Sequence, residues 1–85
     1  MRLPIIKRIS TDYDLVEADL YGAVKVLETI SRARGVSEEE LDVIGELISN
    51  IEGAKVVVDQ NRNFGIPTKD ALNTFMKRVL GSIDQ

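Results

Sequence analysis

The sequence predicts an all-α fold: a small three-helix domain preceded by an extended N-terminal arm. Three observations carry that expectation. Apolar residues recur at spacings of three and four from Val16 to Ile30, from Leu41 to Val58 and from Leu72 to Leu80, the period of one helix face. Ser37-Glu38-Glu39-Glu40 has the order of a capping box, which opens a helix. Gly35, Gly65 and Pro67 fall between the periodic stretches, where glycine stops one helix and proline starts the next.

The arm is residues 1–10, and the helical domain residues 11–85. Pro4 disfavours helix at Leu3, and Ile5, Ile6 and Ile9 are β-branched, so the opening reads as extended chain. It is too short for a secretory leader and has no small-residue cleavage site. An apolar extended arm must be covered, either by its own domain or by a neighbour's groove or sheet edge. Leu3, Pro4, Ile5 and Ile6 are therefore candidate contact residues.

The first helix is expected to begin at Thr11 as N-cap, with Asp12 and Asp14 in its first turn. Val16, Leu20, Ala23, Val24, Leu27 and Ile30 supply its face, and Gly35 ends it. In the second helix, from about Glu38 to Asp59, Ser37 can accept from the Glu40 amide while Glu40 reaches back to the Ser37 amide. The third starts near Thr68, buries Leu72, Phe75, Met76, Val79 and Leu80, and ends near Gly81.

Two glycines inside the second helix need a reason, since each costs about 1 kcal/mol relative to alanine. Gly45, Ser49 and Gly53 recur every four residues, and Ala18 and Gly22 make a shorter stripe of the same kind. Small residues let helix axes approach closely. Either these two helices meet there, or the stripe receives another subunit. Val56, Val57 and Val58 leave the end of the second helix apolar nearly all round, more than a three-helix domain needs. Gly45, Ser49, Gly53, Val56 and Val57 join the candidate partner-binding residues.

Composition narrows the function classes. The chain has 85 residues, no Cys, no His and a net charge of -3. Disulfides, thiolate metal sites and the commonest neutral-pH acid/base group are thereby excluded. No apolar run reaches the ~18 residues of a membrane span. Charge divides into a block of +3 over residues 1–10, -8 over 11–60 and +2 over 61–85, a pattern suited to docking by charge complementarity. Asp59, Asn61, Asn63 and Asp70 have the first, third, fifth and twelfth spacing of a calcium loop. Phe64 stands where the turning glycine belongs, Arg62 adds positive charge, and a helix end turning through Gly65 explains the same residues. No phosphate-binding loop, nucleophile elbow or paired metal ligands appear, and the basic residues form no nucleic-acid reading motif. The expectation is a non-enzymatic interaction module without cofactor, metal or small-molecule substrate, whose partners are proteins.

LPIIK at residues 3–7, AVKVLETIS at 23–31 and above all VSEEELDVIGELISNIEGA at 36–54 resemble a family of small uncharacterised proteins of tailed phages of gut bacteria, crAss-like phages included. The resemblance spans about the first 55 residues. It implies a phage structural protein, made in the bacterial cytoplasm and carried in the virion. The sharpest form is an auxiliary (decoration) capsid protein, held on the major capsid lattice or on further copies of itself by its arm and small-residue helix face, since repeated weak contacts add through multivalency. A neck or tail assembly factor, or a small regulator binding a host protein or DNA, are the alternatives.

Overall fold

A computed structural model describes residues 1–83. The described residues form four α-helices and no strand: α1 Leu3–Ser10, α2 Glu17–Ser31, α3 Glu38–Phe64 and α4 Thr68–Ile83. The all-α class stands as expected. The extended arm and the count of three helices do not, because the opening segment is itself a helix.

The reason lies at the start of α1. Proline in a first turn lacks only an N–H that has no partner within the helix in any case. Arg2 stays extended as N-cap, with φ -125° and ψ 112°, and its carbonyl accepts from the Ile5 and Ile6 amides at 3.0 and 3.1 Å. Eight residues cannot hold a helix alone; packing does. Ile6 is 0% exposed, and the Arg2 amide donates to Asn50 Oδ1 of α3 at 2.7 Å. Buried Asn50 also donates from Nδ2 to the Glu46 carbonyl at 2.9 Å, so this polar residue in an apolar interface has its partners and latches the start of α1.

Residues 11–16, expected as the first turn of a helix, are a linker. The Asp12 carboxylate accepts from the Asp14 amide at 3.1 Å, a local turn that competes with helix. α2 opens at Glu17 instead, where Asp19 Oδ2 accepts from the Val16 amide at 2.9 Å. α3 opens as its sequence predicts: the Glu40 amide donates to Ser37 Oγ at 3.1 Å and the Ser37 amide to Glu40 Oε1 at 2.9 Å. It runs past Asp59 to Phe64 and stops at Gly65, whose φ of 70° is left-handed and whose amide donates to the Asn61 carbonyl. Asp59, Asn61 and Asn63 are thus on a helix and not in a calcium loop; Asn63 donates to Asp59 Oδ1 at 2.6 Å and Glu17 Oε1 at 2.9 Å. The Ala71 amide donates to the Pro67 carbonyl, placing Pro67 at the cap of α4 and Thr68 in its first turn. The side chain of Leu80, expected on the buried face, lies outside the described residues.

α3 is the spine on which the other three helices pack. The core joins Ile6 of α1, Ala54 and Val57 of α3, and Ala71, Leu72 and Phe75 of α4. α2 runs antiparallel to α3 and buries Leu20 and Val24. The result is a slab of 42 × 35 × 17 Å with a radius of gyration of 13.9 Å, against about 12 Å for a compact domain of this length.

Candidate functional site

The residues singled out from the sequence separate into two groups. Ile6, Gly53 and Val57 are sealed inside the chain, so they are no partner surface. A Cβ built on Gly53 would lie 2.9 Å from Ile6 Cδ1 and 3.0 Å from Phe75 Cζ. The close approach predicted for this glycine is real, but α1 and α4 make it; neither α2 nor another subunit is needed. The valine run is closed in the same way: Val57 joins the core, Val58 is buried, and half-buried Val56 packs against it. An opening segment read as an extended arm left these residues without a cover; as a helix it supplies one. Leu3, Pro4 and Gly45 are exposed, Ile5 and Ser49 half-buried, and Gly45 has nothing within 4 Å of where its Cβ would be.

The uncovered apolar surface lies elsewhere. From Lys25 to Ser49 no side chain is buried, although this stretch holds Val26, Ile30, Leu41, Val43 and Leu47. Val26 and Val43 are 59% and 57% exposed. The cause is geometric. α3, at 27 residues, is about 40 Å long and α2, at 15, about 22 Å, so α3 extends well beyond its neighbour. Leu41, Ile44 and Ile48 form one apolar stripe of α3, while Val43 and Leu47 form a second. One antiparallel helix cannot cover both. The folded chain exposes 5998 Å², about 1,000 Å² more than the roughly 5,000 Å² expected of a 9.4 kDa monomer.

Two shallow grooves carry opposite charge. One, of about 440 Å³, opens at the start of α3 between Glu39, Glu40, Val43 and Ile44. The other, of about 370 Å³, runs between α1 and α4 with Leu3 and Leu72 on its floor and Lys7 and Lys69 on its rim. α3 carries Glu38, Glu39, Glu40, Asp42, Glu46 and Glu52 before its first base, Lys55. The Glu40 carboxyl is held below the usual glutamate range, first by the Ser37 N–H and then by the Ser37 hydroxyl. This is helix capping, not an acid/base pair. Among the described residues no group of three His, Cys, Asp or Glu side chains could hold a metal ion, and no helix is long and apolar enough to cross a membrane.

Two residues carry structure that sequence reasoning missed. Arg62, read from the sequence only as a charge, ties the 11–16 linker to α3: Nη1 donates to the Leu15 carbonyl, Nη2 to the Asp12 carbonyl at 3.3 Å, and the guanidinium lies 5.1 Å from the Tyr13 ring centroid. Its buried Nε has no acceptor among the described residues. Nothing in a lone arginine near a helix end announced this. Asn50 did leave a signal, a polar residue in register with Ala54 and Val57 on the buried face. Lys55 sits 3.9 Å over the Tyr21 ring and pairs with Glu52 at 3.1 Å, joining α2 to α3.

A family model described as a family of unknown function (DUF6952) matches residues 1–84, past residue 55, where the resemblance read from the sequence ends. No curated protein and no solved structure matches the chain.

Proposed function

We propose that this chain, which belongs to the DUF6952 family of unknown function, is a non-enzymatic structural protein that works as a covered part of a larger protein assembly. The attachment surface is the distal half of the α2–α3 hairpin, residues 25–49. The single observation that supports this most strongly is the absence of any buried side chain across that stretch despite its apolar content. Exposed apolar residues gathered on one hairpin mark a surface for protein contacts.

The assembly to which the sequence resemblance points is the head of a tailed phage. There the chain is an auxiliary capsid protein on the major capsid lattice, located in the virion. A thin slab suits that position, because most of its surface lies within reach of a lattice beneath or a neighbour beside it. The hairpin takes the attachment role that the sequence assigned to the N-terminal arm, since α1 is committed to the chain's own core.

Quantitative mass spectrometry of purified particles from a phage carrying this gene tests the reading. A capsid role predicts copies in proportion to the major capsid protein, and removal of those copies from the heads when Val26 and Val43 are both changed to Gln. A ring's worth of copies transfers the protein to the neck or tail. Absence from particles, joined to salt-sensitive binding of duplex DNA, makes it a regulator.

A further inference from the structure

We propose that copies of this chain associate head to tail, the acidic apolar start of α3 in one copy seating on the basic apolar groove between α1 and α4 of the next. The inference rests on the hairpin being a protein-contact surface and names the occupant of one part of it. The outer face of α2, with Val26 and Ile30, is left for the lattice.

The argument is one of charge and of elimination. At the start of α3, Val43 and Ile44 offer apolar surface beside Glu39 and Glu40. Between α1 and α4, exposed Leu3 offers apolar surface over buried Leu72, beside Lys7 and Lys69. All four charged residues are exposed. Two copies meeting tip to tip would set the five acids of the first half of α3 against themselves, a charge that Arg32 and Arg34 of the preceding connection offset only in part. Two copies meeting groove to groove would set lysine against lysine. Like charges brought together across an interface select against both pairings. Tip to groove is the pairing in which apolar surface meets apolar surface and every rim charge finds its opposite. Such a contact uses two different patches of one chain, so it is heterologous and repeats; it yields a ring if the rotation closes and an open row if it does not. Rim charges in solvent also make the contact weaken as salt rises.

Two variants test this by complementation. Glu39→Gln with Val43→Gln removes the tip and leaves the groove; Lys7→Glu with Lys69→Glu removes the groove and leaves the tip. Circular dichroism and melting confirm that both fold. In sedimentation velocity the wild type is expected to grow beyond 9.4 kDa with concentration and to shrink back in high salt. Each variant alone is expected to lose about tenfold or more in self-association, while an equimolar mixture forms a one-to-one dimer that grows no further. A wild type that stays monomeric at its highest soluble concentration overturns the proposal, as does a mixture with no dimer or a variant that still self-associates alone. Binding to purified phage heads separates the two readings: a monomer that still binds heads loses the head-to-tail contact and keeps the docking role, whereas a self-associating chain that ignores heads keeps the contact and loses the capsid role.

Discussion

Alanine at Gly45 and at Gly53 makes the same chemical change in the same helix, with opposite expected effects. Replacing glycine by alanine inside a helix contributes about 1 kcal/mol through the backbone. At Gly45 nothing lies within 4 Å of the new methyl, so Gly45→Ala should be stabilised by that amount. At Gly53 the methyl meets Ile6 Cδ1 at 2.9 Å and Phe75 Cζ at 3.0 Å. Ile6 is fully enclosed and cannot swing into solvent, and the Phe75 ring is packed beside it. Overpacking of this kind costs about 1 to 3 kcal/mol, which leaves Gly53→Ala between neutral and about 2 kcal/mol less stable once the backbone gain of about 1 kcal/mol is included. The backbone contribution cancels between the two variants, so their difference is the packing cost alone. For a domain of this size each kcal/mol moves the melting point by about 4 to 8 °C. Thermal melts by circular dichroism at one protein concentration read it directly. Equal stabilisation of both variants would refute the close α1–α3–α4 approach at Gly53.

Three further outcomes follow from the same contacts. Ile6→Ala should cost about 2 to 5 kcal/mol of a total of about 4 to 13, and deleting residues 1–8 should cost more; urea denaturation showing either change to be silent would return the opening segment to a free arm. Asn50→Ala leaves the Arg2 amide without its acceptor and should cost about 1 to 3 kcal/mol, with amide exchange rising in α1 before α2; uniform exchange would contradict the latch. Because the Glu40 carboxyl is held low in the fold, its contribution is present at neutral pH and lost as pH falls through that lowered value. Melts of wild type and Glu40→Gln should therefore converge at acid pH, and a gap that widens there would reverse the assignment.

Most of α3 and α4 was legible because their signals are local: the Ser37 box, the Gly65 stop and apolar spacing each act within a turn or two. The opening helix was not. Pro4 and the β-branched isoleucines favour extended chain locally, and what overrides them is a groove built from Ala54, Val57 and Phe75, all distant in sequence. That one misreading spread, since an arm leaves the valine run bare and makes Gly53 look like a docking point. Misplacing the start of α2 had a similar source: Thr11 and Asp12 can cap a helix or close a turn, and the hold of Arg62 on the carbonyls of Asp12 and Leu15 belongs to the turn. The surplus of apolar surface expected at the valine run is not found there, because α1 covers it; uncovered apolar residues gather instead within residues 25–49. Where they gather depends on α3 outrunning α2, a length mismatch that appears only when both helix starts are known.

The claim that matters most is that residues 25–49 serve contact with another molecule and not the chain's own stability. Val26→Gln, Val43→Gln and Leu47→Gln combined separate the two. The melting point should stay near that of the wild type, because exposed substitutions fall within about 0.5 kcal/mol each, while co-sedimentation with purified heads should be lost. A variant that melts as low as Ile6→Ala, or one that still sediments with heads at the wild-type level, would contradict the account.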